Sequence, residues 1–594
     1  MKQPLEPAQP LPTTQHAIQF VGRGQLVHNR AKPVARPGPT QLVVRVEAVG
    51  ICFSDTKLLK AFDTHLRKAE VSGGLDDAAL AEIPRYVPGE LPTVPGHEVA
   101  GRIVAVGSAV TRHRAGERVL VQTDYRHLPT PGSNAAFGYN FEGGLQEYVL
   151  LDERMIIEPG TGERFLIPVD EEPSGSAIAL LEPWACVEAS YASTERSSLA
   201  PAGRLLVVAE AGLAIEGLAP LVTGAPPAAV TAVVADDAQR TALRAALDPA
   251  GPQIALATVA TALPPESFDD IIYFGADADR LEQLQGLLAP RGVLDVVLGG
   301  RRIGRPVAVD VGRIHYDLTR WVGTTGSAAL EGYAVAPADG ELRAGDRVAV
   351  IGAAGPMGFM HVIRTASSPL PGLSLTAVDI DDARLAHLAS IAGPLAASRG
   401  IPSTFLNSRT ERPEPGFDYV AVMVPAPPLV SEAVELAGPR SRVNIFAGFA
   451  AGTRAALDLD AVLAKGVYLF GTSGSEIPDM KTVLGKLERG ELDTNVSVDA
   501  ICGMEGVTEA LAAVEARTTG GKIVVYPALH ELGLVRLADL ADHFPAAAAA
   551  LRDGRWTRAA EDALLAAATE DGPQDGAAAG SPREGGARGD GDRR

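Results

Sequence analysis

The stretch of residues 345–379 limits the possible folds most, because an apolar run, a glycine-rich turn and a second apolar run follow in order. Residues 348–351 predict a buried strand, and the segment after the turn is able to form a helix. Glycines in such a turn let the backbone approach a pyrophosphate, whose negative charge the N-terminus of the next helix favours. The turn positions are Gly352, Gly355, Pro356, Met357 and Gly358.

Asp379 ends the second apolar run, 21 residues beyond Gly358. This spacing is close to the ~20 residues expected for the carboxylate that binds a ribose. Such an acid accepts from a 2′-hydroxyl and repels a 2′-phosphate, so the pattern favours NAD over NADP. The spacing GxxGxxG is looser than GxGxxG, and the alternative is an ordinary βαβ turn whose aspartate is only solvated. We predict a nucleotide-binding domain, because strand, glycines and acid occur in one unit.

Length and charge limit the remaining possibilities. A chain of 594 residues exceeds the ~250–300 residues at which one hydrophobic core stops growing, so several domains are expected. The formal net charge of −20 argues against nucleic acid or an anionic membrane as a partner. Three scattered cysteines suit a reducing compartment, and the sequence shows neither a signal peptide nor a membrane span. We therefore expect a cytoplasmic protein.

The N-terminal part carries a second set of informative residues. Residues 16–50 alternate apolar and polar side chains, which predicts antiparallel strands. Cys52 follows this region, and His97 and Glu98 come 45 and 46 residues later, before another apolar run. Cysteine, histidine and carboxylate side chains are the usual zinc ligands in proteins.

These segments, together with Glu182-Pro183-Trp184, resemble the catalytic half of the zinc-dependent medium-chain dehydrogenase/reductase family, in particular its sorbitol and threonine dehydrogenase branch. The resemblance implies a β-rich, GroES-like catalytic domain with a catalytic zinc ion. It implies that Cys52 and His97 are direct ligands. It also implies that Glu98 and Glu182 are carboxylates that bind the metal directly or through its water.

Two further residues fit catalytic roles in this arrangement. Ser54 fits a first proton-relay hydroxyl, and Asp55 fits a carboxylate that orients the histidine ligand. The alternatives are a buried core thiol for Cys52 and a satisfied loop histidine. Cys186 lies four residues beyond Glu182 and could be a rival ligand, although we assign it to the core. The joint occurrence of these residues beside a nucleotide motif favours the metal site.

The chain departs from the family in three places. Residues 116–148 lack the four cysteines of a structural zinc, so we predict one zinc ion. Lys57 stands where some alcohol dehydrogenases place a relay histidine. The interval between Cys52 and His97 is long, and the insert at about residues 58–94 is expected to cover the mouth of the active site.

The basic residues in and beside this insert have two interpretations. They could hold a sugar phosphate, or they could form a solvated helix face, which we favour because it is the commoner explanation. These residues are Lys57, Lys60, Arg67, Lys68 and Arg85. In the family, a later region of the sequence lines the substrate cleft, so Arg126, His127 and Tyr139 are weak substrate-site candidates. Lys57 is a further weak candidate.

An internal repeat indicates that the nucleotide-binding domain occurs twice. The segment from Phe268 matches that from Phe417, and GTTGS at Gly323 matches GTSGS at Gly471, with offsets of 149 and 148 residues. The copies read as two doubly wound parallel sheets, or Rossmann domains. In the first copy only one glycine remains in the turn, Glu210 would repel a pyrophosphate, and Val234 replaces the acid. We therefore predict that the first copy has lost the nucleotide.

The predicted domain organisation is α/β throughout. It comprises a catalytic domain at 16–195, a degenerate Rossmann domain at 200–335, an NAD-binding Rossmann domain at 340–475, a return segment at 476–527 that completes the catalytic domain, a helical extension at 528–569 and a disordered tail at 570–594. Because family members commonly dimerise through their nucleotide domains, we expect a homodimer or an intrachain pseudo-dimer.

The functional prediction combines these parts. We expect a zinc- and NAD-dependent dehydrogenase that acts on a secondary alcohol of a polyol, sugar or sugar-phosphate-like molecule. One alternative is a zinc-free quinone or enone reductase of the same superfamily, which the sequence GAAGPMG also resembles. The other is a sensor or scaffold that binds nucleotide without turnover.

Overall fold

The computed structural model describes residues 10–83, 85–247, 254–257, 263–450 and 452–570. The disordered tail predicted from residue 570 lies outside the described residues from position 571 onward. Within the described ranges, the helices are all too short or too polar to cross a membrane.

The N-terminal region folds mainly into strands, with two short helices between the third and fourth strands and two more helices at its end. Its elements are β1 (Thr14–Gly22), β2 (Gln25–Pro33), β3 (Gln41–Ile51), α1 (Phe53–Ala61), α2 (Asp77–Ala81), β4 (Glu98–Val106), β5 (Arg118–Val121), β6 (Asp124–Thr130), β7 (Ser133–Ala136), β8 (Tyr148–Asp152), β9 (Leu166–Pro168), α3 (Gly175–Ala179) and α4 (Leu181–Ala192).

The middle of the chain forms two successive α/β segments. The first contains β10 (Arg204–Ala209), α5 (Leu218–Gly224), β11 (Ala229–Val234), α6 (Asp237–Leu247), β12 (Ile254–Leu256), β13 (Phe268–Phe274), α7 (Ala278–Leu284), β14 (Leu288–Val297), β15 (Val307–Asp310), α8 (Val311–Tyr316), β16 (Arg320–Thr324) and α9 (Ala329–Tyr333). The second contains β17 (Arg347–Ile351), α10 (Pro356–Ala366), β18 (Ser374–Asp379), α11 (Asp382–Ser398), β19 (Ser403–Asn407), β20 (Phe417–Val422), α12 (Pro427–Leu436), β21 (Ala437–Ile445), β22 (Arg454–Leu457), α13 (Leu459–Lys465) and β23 (Tyr468–Phe470).

The C-terminal region returns to the first domain. It contains α14 (Ile477–Glu488), β24 (Val498–Cys502), α15 (Val507–Ala516), β25 (Lys522–Val525), β26 (Val535–Arg536), α16 (Leu540–His543), α17 (Pro545–Ala549) and α18 (Arg558–Glu570). Strands β24, β25 and β26 extend the sheet of β3, β4, β5 and β9, while β8 pairs with β3. The β-rich domain, which the sequence predicts to be the catalytic one, is therefore made from both ends of the chain.

A twelve-stranded sheet forms the rest of the core, in the order β12-β11-β10-β13-β14-β16-β23-β21-β20-β17-β18-β19. The strands within each half are parallel, and the halves meet at one antiparallel pair, Trp321 with Leu469. Read outward from that pair, each half has the doubly wound order 6-5-4-1-2-3. We call the half from β10 to β16 the first half and the half from β17 to β23 the second half. A β15–β22 ribbon joins them again.

The position of the strands in this sheet explains why their sequences are apolar throughout. Helices cover both faces of a parallel sheet, so its strands are nearly continuous apolar runs rather than alternating ones. Residues 205–209 and 348–351 are buried throughout. The strand, turn and helix predicted around the glycines are therefore present as β17, its turn and α10, with β18 ending at Asp379.

The insert after Cys52 differs from the expected solvated helix face. Lys68 is fully buried, and its ammonium group donates to the carbonyl oxygens of Val87 and Leu91. Arg67 lies 3.1 Å from Asp124 and is largely buried. The expectation is wrong for these two residues, because lysine and arginine can be buried when carbonyl or carboxylate oxygens satisfy their N–H groups.

Candidate functional site

Cys52, His97 and Glu98 form one cluster, with a ligand atom of each within 4.8 Å of the others. Cys52 is the residue directly before α1, while His97 and Glu98 lie at the start of β4, so two neighbouring strands deliver all three side chains. His97 and Glu98 are buried. Thiolate, imidazole and carboxylate groups in this arrangement match the donor set of a zinc site.

Asp55 holds the histidine of this cluster in position. Its carboxylate accepts hydrogen bonds from the backbone N–H of Cys52 at 2.9 Å and of Gly96 at 3.3 Å. The same carboxylate lies 3.2 Å from His97 Nδ1, which leaves Nε2 as the atom for a metal. Burial raises the pKa of Asp55, but His97 and the backbone donors outweigh burial and hold this pKa below its usual value.

Glu98 has one oxygen engaged and one free. Oε1 accepts a hydrogen bond from Lys522 Nζ at 2.5 Å, whereas Oε2 is buried without a hydrogen-bond partner among the described residues. A Cβ atom at Gly50 would lie 2.0 Å from Oε2, so only glycine leaves room for this carboxylate. Such an orphaned buried oxygen fits a metal ligand. Sequence reasoning missed Lys522, which lies 424 residues from Glu98 and carries no local signal.

Glu182, the other predicted carboxylate, lies outside the three-residue cluster. It is on α4, where the thiol of Cys186 donates to Glu182 Oε1 at 3.7 Å. Burial raises the pKa of Glu182 to about 7, although the charge of His97 opposes the shift. Burial, followed by the charges of Glu182 and Cys52, also raises the pKa of Cys186 well above its usual value. The geometry therefore favours Glu98 over Glu182 as the direct carboxylate ligand.

Ser54 and Tyr139 lie beside the cluster. Ser54 Oγ is 3.1 Å from His97 Nε2, and the ring centre of Tyr139 is 5.7 Å from that of His97. Arg67 from the insert also lies against Tyr139, with its guanidinium carbon 5.7 Å from the ring centre. Lys57 is exposed on α1, with Nζ 5.7 Å from the ring centre of Phe53.

The structure separates Arg126 and His127 from the metal ligands. Arg126 donates to Glu476 Oε1 at 2.7 Å and to the carbonyl oxygen of Ser473 at 3.1 Å. The ring of His127 packs at 5.3 Å from that of Phe165. Arg126 therefore joins the catalytic domain to the loop after β23, and the contacts of His127 are with the catalytic domain itself.

The glycine turn has the shape of a nucleotide cradle. Gly352 has φ of +81°, a backbone conformation that L-residues rarely adopt. A Cβ atom at Gly358 would lie 2.2 Å from the carbonyl oxygen of Gly352, so Gly358 allows the helix to approach the strand. At Gly355 the nearest such atom is 3.8 Å away, and α10 begins there with Pro356 and Met357 and no side-chain cap. The first N–H groups of α10 are therefore not taken by a capping side chain.

Asp379 closes the other side of this cradle. Its Oδ2 accepts from the N–H of Ala354 at 2.9 Å, and its Oδ1 accepts from Ile380 at 2.8 Å and from Arg384 at 3.3 Å. The carboxylate thus lies at the carboxyl end of β18, against the turn after β17. Ligands of doubly wound sheets bind at this edge of the strands.

Helix α4 connects the two sites. Its first turns carry Glu182 and Cys186, and its later turns pack against α10. Glu188 pairs with Arg364 at 3.1 Å, and the hydroxyl of Tyr191 lies 2.8 Å from His361 Nδ1. On the same side, Gln122 of the catalytic domain donates to the carbonyl oxygen of Ser475 at 2.9 Å. The catalytic domain therefore contacts the second half through α10 and through the loop after β23.

Comparisons with known proteins agree with this architecture. Residues 38–160 match the alcohol dehydrogenase GroES-like domain. The uncharacterized protein YggP of Escherichia coli is 28% identical over 245 residues, which are 38% of this chain and 57% of that protein. D-altritol 5-dehydrogenase of Agrobacterium fabrum is 39% identical over 106 residues, 18% of this chain and 24% of that enzyme.

Mannitol-1-phosphate 5-dehydrogenase of Aliivibrio fischeri is 27% identical over 266 residues, 40% of this chain and 61% of that enzyme. The chain thus covers less than two thirds of the length of each of these three relatives. Residues 38–160 therefore carry an alcohol dehydrogenase GroES-like domain, and parts of the chain are similar to two proteins named as polyol or polyol-phosphate dehydrogenases.

Proposed function

We propose that this chain is a zinc- and NAD-dependent dehydrogenase that transfers a hydride between NAD and a secondary alcohol of a polyol, sugar or sugar phosphate. The observation that carries the proposal is the buried cluster of Cys52, His97 and Glu98, in which one oxygen of Glu98 has no partner among the described residues. A reductase that works without metal has no use for such a set. The names of D-altritol 5-dehydrogenase and mannitol-1-phosphate 5-dehydrogenase support the polyol class.

Each residue in and beside the cluster has its own role in the proposed reaction. Cys52, His97 and Glu98 Oε2 would hold the zinc ion, which when bound lowers the pKa of the substrate hydroxyl by several units. Ser54 Oγ, 3.1 Å from His97 Nε2, is placed to relay the hydroxyl proton, accepting it while passing its own proton on to water. Asp55 keeps the imidazole of His97 oriented, and the second oxygen of Glu98 stays paired with Lys522. Loss of the hydroxyl proton makes release of hydride from the adjoining carbon easier.

NAD would accept that hydride in the cradle of the second half. Gly352 and Gly358 let the backbone approach the pyrophosphate, and the first N–H groups of α10 favour its charge. Asp379 would accept hydrogen bonds from the ribose hydroxyls.

A metal and activity assay tests this function. The purified protein is expected to contain about one zinc per chain, as the three-ligand site requires, and to reduce NAD with at least one polyol, sugar or phosphate ester. Cys52→Ser should lose both zinc and turnover, whereas Cys502→Ser, a fully buried cysteine on β24, serves as the matched control. Protein that lacks stoichiometric zinc and reduces enones in the presence of a chelator would contradict the proposal.

We also infer that the two halves of the twelve-stranded sheet are copies of one domain, packed as an intrachain pseudo-dimer. Three observations support this inference: the shared strand order, the single antiparallel contact and the sequence repeat of about 149 residues. The joining edge is already occupied within the chain, so light scattering is expected to give the mass of a single chain. A dimer mass would contradict this part of the proposal.

The turn after β10 in the first half is held by contacts among its own side chains. Glu210 lies at the start of the turn after β10, accepts from the Tyr273 hydroxyl, and pairs with Arg301 at 2.9 Å. Helix α5 begins only at Leu218, eight residues after the end of β10. We infer that this half binds no NAD.

A further inference from the structure

A group of nitrogen-bearing side chains lies close to Tyr139, the ring that neighbours the metal ligand His97. The ring of Tyr139 is 5.7 Å from that of His97 and 5.1 Å from that of His65. Arg67 lies against the same tyrosine ring, and Lys57 is close enough to His65 for its charge to lower the pKa of this histidine. We call Lys57, His65 and Arg67 the outer cation cluster.

The carboxylates that face Arg67 are Asp124 and, more weakly, Glu182, so the positive charge of the cluster is only partly compensated. Arg67 lies 3.1 Å from Asp124 Oδ1, but Arg126 also lies 3.5 Å from the other oxygen of this carboxylate. One aspartate is thus shared between two guanidinium groups. Lys57 has no carboxylate within ion-pair distance in the parts of the chain that the structure describes. This excess of cations stands out in a chain of formal net charge −20.

The neighbouring lysine on α1 shows how an ordinary surface lysine behaves here. Lys60 is one turn from Lys57 and pairs with Glu515 at 2.5 Å. Lys68 is satisfied by backbone carbonyl oxygens. Lys57 is therefore the exposed lysine of this segment whose charge remains free to bind a substrate group.

The cluster also presents hydrogen-bond donors. The backbone N–H of Arg67 donates to His65 Nδ1 at 3.3 Å, so the ring proton of neutral His65 is on Nε2. The ammonium group of Lys57 has three donors, and the guanidinium of Arg67 has five in a planar arrangement. Such a combination suits the several acceptor oxygens of a phosphate monoester better than neutral hydroxyl groups.

We propose that the outer cation cluster binds a phosphate group of the substrate, so that the enzyme acts on a phosphorylated polyol or sugar. The oxidised hydroxyl would sit at the metal ligands, and the phosphate would sit beyond Tyr139, between Lys57 and Arg67. This inference rests on the proposed dehydrogenase function and narrows its substrate class. It also assigns a role to the insert, whose residue Arg67 forms part of the cluster.

Paired substrates test the proposal through turnover. A hexitol and the same hexitol phosphorylated on a terminal hydroxyl are compared by kcat/KM with NAD. Two charge-assisted contacts should favour the phosphate ester by about 100-fold. Arg67→Ala is expected to reduce the ratio of the two kcat/KM values by about 30-fold, and Lys57→Gln by about tenfold. The ratio for Arg67→Lys should lie between those of Arg67→Ala and the unmodified protein. Lys60→Gln is the matched control and should leave the ratio unchanged.

Inorganic phosphate provides a second test that needs no turnover. Burial, followed by the charges of Arg67 and Lys57, lowers the pKa of His65 to about 4. A phosphate bound in the cluster would favour the protonated ring and raise this pKa, which NMR titration of the histidine signals measures. The rise should be smaller in Lys57→Gln and unchanged in Lys60→Gln.

The outcomes separate this inference from the function on which it rests. A dehydrogenase that prefers the unphosphorylated hexitol, with a ratio unaffected by Arg67→Ala, overturns the phosphate site but keeps the proposed function. A protein without any NAD-dependent turnover, in which phosphate still raises the pKa of His65, overturns the function and keeps the site. Phosphate that competes with NAD and leaves His65 unchanged overturns the site.

Discussion

The two halves of the twelve-stranded sheet have the same strand order but different turns after their first strands. In the second half, the turn from Gly352 leads within five residues into α10. In the first half, Glu210 lies in the turn after β10, and its carboxylate is held by Tyr273 and Arg301. The comparison indicates that buried apolar packing maintains the strand order, while the proposed nucleotide binding depends on a few backbone positions that packing does not protect.

The acid position shows the same contrast. Asp379 ends β18 and contacts the turn, whereas the first half has Val234 at the end of β11. A valine at a strand end contributes to the core without any ligand, so its presence does not harm the fold. We therefore expect that substitutions at these positions change cofactor binding in one half only.

The largest effect is expected when the turn of the second half receives a glutamate like the one in the turn of the first half. Gly352→Glu would place a side chain at φ of +81°, where its Cβ atom would lie 2.4 Å from Val424. It would also place a carboxylate beside the proposed position of the pyrophosphate. NAD binding should weaken by at least about 1000-fold, or about 4 kcal/mol. Isothermal titration calorimetry measures this loss. Glu210→Gln in the first half is the control, and one NAD per chain should remain.

A second, smaller effect concerns the contact that joins the halves. Arg320 of β16 is buried, and it donates to Glu195 at 2.6 Å and to the carbonyl oxygen of Gly471 at 3.1 Å. Tyr468 donates a further hydrogen bond to Glu195 at 2.6 Å. Arg320→Met leaves Glu195 buried without its cation. The free energy of unfolding should fall by about 3 kcal/mol in urea titrations. Arg240→Met, which breaks an exposed pair on α6, should change little.

Some of this architecture could be predicted from sequence and some could not. The glycine turn, the distance to Asp379 and the residues Cys52 and His97 are local patterns, and each is set by the backbone or ligand chemistry of a short segment. The pairing of Lys522 with Glu98 joins segments 424 residues apart, so no local pattern reveals it. Burial of Lys68 was missed for the same reason, because its partners at Val87 and Leu91 are carbonyl groups that any sequence provides.

A third prediction uses the acid at the end of β18. Asp379→Ser removes the proposed acceptor for the ribose hydroxyls. It also frees Arg384, which lies 3.3 Å from the carboxylate of Asp379, to bind a 2′-phosphate. The kcat/KM with NAD should fall by about 10- to 100-fold, and that with NADP should rise. The reverse change in the first half, Val234→Asp, should create no second NAD site, because Glu210 still fills the turn. A stoichiometry of two NAD per chain in this variant would contradict the comparison.

The smallest effect is expected at Asp295, a fully buried residue of β14 whose two oxygens lack hydrogen-bond partners among the described residues. Its counterpart in the second half, Asn444, donates to Ser190 at 3.2 Å and to the Tyr419 hydroxyl at 3.0 Å. Burial, and then the charge of Asp270, raises the pKa of Asp295 well above its usual value. The folded state therefore keeps a proton that the unfolded state releases above pH of about 4.

Because of this difference, the stability contributed by protonated Asp295 is complete below pH of about 4 and is lost as pH rises toward the folded-state pKa. Asp295→Asn removes the titration and gives the first half the residue of the second. At neutral pH the variant should be more stable, because the folded state no longer has to keep a carboxyl group protonated. The gain should be only about 1 kcal/mol, because the N–H groups of the new amide need hydrogen-bond partners. Urea titrations from pH 5 to 9 should show the advantage increasing with pH. Parallel pH profiles for variant and unmodified protein would mean that Asp295 is ionised in the fold, and that the two halves do not differ in this respect.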